Sequence, residues 1–158
     1  MSKEQVNRFQ VKGKTKLIKG SILTPEGGGL RFVLNIVNMS GKTEGALYPI
    51  FDKKWKQIKS EARGWYATKT GAYKLGSVNS TSVQSDVWVE HLLCQDDKLV
   101  TDVKALEECL KSVCKSALYE KASVCVSTAL VDAIPELEAL LGSCLVDKGV
   151  SVSFYQEP

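Results

Sequence analysis

The 158 residues suffice for one domain, 1–158, around a single core, and 44 % hydrophobic with 25 % charged content excludes a disordered chain. Five cysteines without a CxxC pair and a single histidine, His91, exclude multi-histidine metal chemistry; no metal and no cofactor is expected, and the thiols read as reduced, buried hydrophobes. The net charge of +3 admits an anionic ligand but lacks the clustering of a dedicated nucleic-acid binder, and with no apolar run near the roughly 20 residues of a membrane span and no apolar segment behind Met1 to Gln5, a cytoplasmic protein away from membranes is expected.

Arg8 to Lys12 and Thr15 to Leu23 read as short extended segments parted by Gly13, the second closing on the turn residues Thr24 to Gly29. Leu30 to Asn38 is almost wholly apolar and rich in branched residues, the pattern of a central strand covered on both faces. From Gly45 the period changes. Leu47, Ile50, Phe51, Trp55, Ile58 and Ala62 recur at spacings of three and four, with Asp52, Lys53, Lys56 and Lys59 between them, which predicts one amphipathic helix. Lys74 to Asn79 and Asp86 to Cys94 read as strands on either side of a turn at Asn79-Ser80-Thr81, and Val87, Val89, His91 and Leu93 share one face of the second.

Asp102 is a predicted N-cap for a helix whose buried stripe is Val103, Leu106, Leu110, Val113 and Ala117, joined by Cys109 and Cys114. Ser123 to Ser127 is a short apolar strand. Pro135 opens a last helix through Leu137, Leu140, Leu141 and Leu145, Gly149 stops it, and Val150 to Tyr155 supplies the final strand. Strands alternating with helices predict a layered α/β sandwich, its sheet largely parallel in the second half, with ligands gathering beyond the carboxyl ends of the central strands. That places the region of interest between Asn35 and Gly45.

There, Asn35-Ile36-Val37-Asn38 ends the most apolar strand, and Met39-Ser40-Gly41-Lys42-Thr43-Glu44-Gly45 leads into a helix. Glycine lets a backbone approach an anion and a helix start favours negative charge, so the segment suits a phosphate; the same residues also describe an ordinary strand end with turn glycines. Neither Walker spacing nor GxGxxG is present, which excludes a standard nucleoside triphosphatase or dinucleotide dehydrogenase. His91 sits mid-strand among apolar neighbours and reads as a structural histidine, Asp96-Asp97 as a solvated turn, and Asp132 as the cap of the helix after Pro135. Lys53, Lys54, Lys56, Lys59 and Arg63 with Trp55, Trp65 and Tyr66 describe a solvated helix face, or a basic surface for a protein or nucleic-acid partner.

Phe32 to Asn38, then Gly41, then Gly45-Ala46-Leu47 with Phe51 downstream resembles the first ligand loop of macro domains. Lys19-Gly20-Ser21-Ile22-Leu23, Lys74-Leu75-Gly76-Ser77-Val78, Ser123 to Ser127 and Val152 to Tyr155 fall where that family has its early K-G-D-I-L element, its K-L-G stretch, the strand before its second ligand loop and its terminal strand. The resemblance implies a three-layer α/β/α sandwich with a mixed, largely parallel central sheet. It also implies a pocket for ADP-ribose or a related nucleotide metabolite: Asn38 at the distal ribose and in any catalytic role, Asn35 among the ligand residues, Gly41 and Gly45 lining the first loop, Thr128 in the second, Ser21 at the adenine, and Tyr155 or Phe154 stacked on the base, although Tyr155 reads equally as a terminal aromatic packed on the sheet.

The chain departs from the family pattern at three places. Ser21 stands where the family has an aspartate that reads the adenine amino group, so a charged acceptor becomes a neutral hydroxyl. The second loop, Ser127 to Asp132, holds no glycine, and Lys98 is a poor positional match to the nucleophilic lysine of one hydrolase branch. Two readings follow: a nucleotide-binding macro-like domain, with hydrolysis of an ADP-ribosyl or ADP-ribose-phosphate derivative as its enzymatic form, or a degenerate macro fold that docks protein or nucleic acid through Lys53 to Arg63.

Overall fold

All eight residues of Arg31–Asn38 are buried, so the strand they form is covered on both faces and the chain must lay helices on each side of its sheet. A computed structural model describes residues 12–42, 48–68 and 73–157; the predicted strand at Arg8 to Lys12 and the loop glycine Gly45 lie outside them, Lys12 apart. In chain order the elements are β1 (Thr15–Lys19), β2 (Arg31–Asn38), α1 (Tyr48–Phe51), α2 (Gln57–Thr68), β3 (Val78–Gln84), β4 (Val87–Gln95), α3 (Val103–Glu120), β5 (Ser123–Ser127), α4 (Thr128–Ala133), α5 (Leu137–Cys144), a single 3-10 turn at Val146–Lys148, and β6 (Val152–Gln156). The six strands stand in the order β1-β6-β5-β2-β4-β3. All neighbours are parallel except β3 and β4, which pair antiparallel. This is the mixed, largely parallel sheet of the expected α/β/α sandwich.

Side-chain alternation divides the sheet. One face carries Phe32 and Leu34 of β2 beside Trp88 and Glu90 of β4, and the C-terminal half of α3 lies over it. The other carries Val33, Asn35 and Val37 beside Val89, His91 and Leu93, all buried. Arg31, also buried, donates to Pro25 O and Gly29 O and pairs with Asp86, fastening the glycine turn to the start of β2.

Asp102 caps α3 as the sequence predicts, its Oδ1 accepting from Ala105 N at 2.9 Å, and Gly149 ends the last helical turn with φ +101°. Asp102→Ala is expected to cost about 1 kcal/mol, the usual worth of an N-cap, read as a lower thermal midpoint. Val103, assigned to the buried stripe, is instead 41 % exposed at the first turn of α3. All five cysteines are free and buried. No helix among the described residues is long and apolar enough to cross a membrane.

Four sequence expectations need correction. The strand predicted over Thr15 to Leu23 stops at Lys19, because Ser21 turns the chain by accepting Leu23 N on its own hydroxyl. The one helix predicted from Leu47 to Ala62 is two, and the turn between α1 and α2 brings the buried rings of Phe51 and Trp55 to 5.9 Å. Asn79-Ser80-Thr81 lies within β3, not in a turn, and the strand predicted over Lys74 to Asn79 begins only at Val78, with Lys74 to Ser77 a turn closed by Ser77 N donating to Lys74 O. Being an edge strand, β3 needs only Thr81 buried and can keep a polar sequence. Asp132 lies exposed within α4 and caps nothing; α5 starts after Glu136 with no side-chain cap.

Candidate functional site

Parallel strands deliver their carboxyl ends to one crest of the sheet, where Gly20, Asn38, Gln95, Ser127 and Glu157 follow or end β1, β2, β4, β5 and β6. The loop after β2 is organised by Asn38. Its Oδ1 accepts from Ser40 N at 3.1 Å and Ser40 Oγ at 2.6 Å, while its Nδ2 donates to Lys42 O at 3.0 Å. This is an Asx turn closed on both sides by one amide, and it leaves Asn38 only 1 % exposed.

Gly41 takes φ +74° in that loop, and a β-carbon there would stand 2.5 Å from the Tyr66 ring. Glycine is therefore required twice over, by its backbone angle and by the aromatic ring pressed against it. Tyr66 in turn meets Tyr73 edge-on at 5.3 Å, and Trp65 meets Tyr73 at 4.7 Å. The Tyr73 hydroxyl donates to Asn38 O, so the phenol is held protonated; burial, then the neighbouring Tyr66, pushes it up to about 12. Three aromatic side chains from α2 and the following segment thus buttress the first loop.

The opposite side of the crest is built differently. Ser127 is buried at the end of β5 and its hydroxyl accepts from Ala129 N at 3.2 Å, which starts α4 directly from the strand. At the third corner Ile22 N donates to Glu157 Oε1 at 3.0 Å, tying the end of the chain to the turn after β1.

No protein-family model matches the sequence, and no curated protein matches it. Solved structures do match. A macrodomain protein from Streptomyces coelicolor superposes with a TM-score of 0.83 at 21 % identity, covering 90 % of this chain and 98 % of that one. The chain has the macrodomain fold. A protein of unknown function from Bacteroides thetaiotaomicron aligns at TM-score 0.81 and 25 % identity over 91 % of this chain and 98 % of that one. DarTG from Thermosipho africanus, solved in complex with ADP-ribose, aligns at TM-score 0.63 and 14 % identity over 80 % of this chain and 38 % of that one.

Within this macrodomain fold the residues singled out from the sequence are scattered. Asn38, Gly41 and Thr128 stand at the crest. Asn35, three residues earlier on β2, points to the opposite face from Asn38 and bonds His91 Nδ1 at 3.0 Å instead. Because the Asn35 amide nitrogen can only donate, His91 Nδ1 accepts, and its Nε2 donates to Thr81 Oγ1 at 2.9 Å. That buried chain has no open position, and burial lowers the His91 imidazole to about 4. Ser21 stands at the crest with its hydroxyl already accepting Leu23 N at 3.1 Å. Tyr155 is 1 % exposed and its hydroxyl accepts Glu26 N at 2.7 Å, so its ring is packed within the core; Phe154, on the other face of β6, is half-buried.

Lys98 and Asp96 form the exposed turn after β4, with Asp96 Oδ1 accepting Lys98 N at 2.8 Å. Among the described residues no group of three or more His, Cys, Asp or Glu could hold a metal ion. Ser40, Tyr66, Tyr73 and Glu157 were not singled out as parts of a crest site. Ser40 carries a sequence signal, a serine two residues after a strand-end asparagine. The other three are brought in by tertiary packing and carry none.

Proposed function

We propose that this chain binds ADP-ribose, or a related nucleotide with a diphosphate between two sugars, at the crest beside Asn38. The observation that carries the reading is the Asn38–Lys42 loop, held rigid at the end of the central strand in a fold that another protein fills with ADP-ribose. A pre-shaped loop spares the ligand the entropy of ordering it. Gly41 offers main-chain approach, and Thr128 across the crest offers a hydroxyl. Asn38 enters this reading as the residue that shapes the loop, since its buried amide is already bonded to Ser40 and Lys42; any hydrolysis of an ADP-ribosyl derivative would depend on it through that shape.

The decisive measurement is calorimetric titration of the full chain with ADP-ribose. Saturable heat is expected with ADP-ribose and weaker heat with AMP, which lacks the distal ribose. No heat at millimolar ADP-ribose would end the proposal.

A second reading has its own support. The second loop is a helix rather than an open glycine turn, and Glu157 already holds the Ile22 amide. On that reading the fold is a docking module, and its basic surface runs from Lys53 to Arg63, where Lys53, Lys56 and Arg63 are exposed while Trp55 is buried. Partner footprints confined to that surface, with no ADP-ribose heat, would favour it.

A further inference from the structure

Away from the crest, Glu90 stands in the middle of β4, directly opposite Ser80 of the edge strand β3, and is 2 % exposed. Its Oε2 accepts from Ser80 Oγ. The carboxylate lines a cleft of about 300 Å³ between these two strands and the last two turns of α3. Trp88 forms the inner wall, its ring stacked on Phe32 at 5.6 Å and 14° and so fixed in place. Lys115, Tyr119 and Glu120 of α3 form the roof.

The side chains do not balance one another. Lys115 faces the same cleft as Glu90 and Glu120 but forms an ion pair with neither, while one turn earlier Lys111 pairs with Glu107 at 3.4 Å. A carboxylate withdrawn from water with a hydroxyl as its partner is costly unless a cation completes it. Burial accordingly holds the Glu90 carboxyl above its usual range, with the Ser80 hydrogen bond pulling it partly back. Tyr119, at the mouth, is 85 % exposed, far more than an aromatic ring needs to be on a helix that buries its apolar stripe.

We propose that this cleft binds a guanidinium cation, seated on Glu90 between Trp88 and Tyr119. The planar group suits a slot with a strand floor and a helix roof. Its parallel N–H donors match the carboxylate lone pairs that Ser80 leaves, and its face suits an aromatic wall. An ammonium ion would satisfy the charge but not the two-pronged geometry. The proposal stands apart from the ADP-ribose reading, since the cleft lies on the face under α3 and shares no residue with the crest.

The test is an amide-shift titration of the ¹⁵N-labelled full chain with agmatine, with butylammonium, and with a capped Gly-Arg-Gly tripeptide. Saturable shifts at Ser80, Glu90 and Tyr119 are expected with agmatine. The tripeptide tells a free guanidinium metabolite from an arginine side chain on a partner: affinity equal to or above that of agmatine assigns the cleft to a partner's arginine, lower affinity to a free ligand. Glu90→Gln should weaken agmatine at least about tenfold, the worth of a charge-assisted hydrogen bond, while keeping or raising the thermal midpoint because an unpaired buried charge is removed. Tyr119→Ala, at an exposed position that folding does not need, should weaken agmatine without moving the midpoint. Absent shifts, an agmatine affinity unchanged in Glu90→Gln, or butylammonium binding as well as agmatine would each overturn the proposal.

Discussion

Acidification from pH 6.5 to 4 is expected to strip about 3 kcal/mol from the fold through His91 alone. In the folded chain the imidazole is held at about 4 against an ordinary 6.5, chiefly by burial. Asn35 Nδ2 already donates to its Nδ1, so a proton arriving there would set two donors face to face. Between pH 6.5 and 4 the unfolded chain therefore carries a proton that the folded chain refuses. Stability from this source is complete above 6.5 and is lost as the pH falls toward 4. A 2.5-unit gap at roughly 1.4 kcal/mol each gives the stated size, part of which is lost only below pH 4.

His91→Gln supplies the control, because a glutamine amide can accept from Asn35 and donate to Thr81 without titrating. Urea unfolding of both proteins across this range should show their stability difference shifting by about 3 kcal/mol against the wild type as the solution becomes acid. Glu90, whose carboxyl is raised, contributes the opposite slope, but it does so in both proteins and cancels from the difference. Parallel curves would show that His91 is not held neutral.

Replacing Asn38 by alanine is expected to weaken ADP-ribose by at least about tenfold, with a loss of stability of about 1–3 kcal/mol. Three hydrogen bonds converge on this one amide, and it is buried, so alanine leaves the Ser40 amide and the Lys42 carbonyl to find water or each other. The loop then loses the shape that the proposed ligand requires. Asn38→Asp separates shape from chemistry, since a carboxylate still accepts from Ser40 but repels the Lys42 carbonyl and any diphosphate. Calorimetry and thermal unfolding on the same samples decide the matter. A destabilised Asn38→Ala that binds ADP-ribose as well as the parent would place the ligand elsewhere.

The elements with unambiguous apolar patterns were legible in the sequence: β2 from its unbroken run of branched residues, β4 from the period-two placement of Val87, Val89, His91 and Leu93, α3 from its stripe and its Asp102 cap. β3 was not, because Asn79-Ser80-Thr81-Ser82 has the composition of a turn and only pairing with β4 makes it a strand. The helix at the second loop could have been read. Ser127 followed by Thr128-Ala129-Leu130 is a capping residue before residues that continue a helix, a signal independent of the missing glycines. At the crest, Asn38 followed from where a strand hands over to a loop. Asn35 failed by parity, since residues three apart on a strand face opposite ways. Tyr66, Tyr73 and Glu157 reach the crest through contacts across 25 to 135 positions of chain, which no local pattern encodes.

Three deeply buried sulfurs, those of Cys94, Cys109 and Cys125, make the molecule its own opening gauge. Burial pushes the Cys109 thiol up to about 12 and the Cys125 thiol to about 11, and raises Cys94 as well, so in the native state these three side chains are both shielded and protonated. A thiol reagent attacks the anion, and at these three sites it can do so only in conformations that have come apart. The pace at which a disulfide dye labels untouched protein therefore clocks those excursions without denaturant, sulfur by sulfur once the modified peptides are mapped. Cys125 in β5 would time the rupture of the central sheet, while Cys109, whose thiol donates to Leu93 O, would time the lifting of α3 from β4.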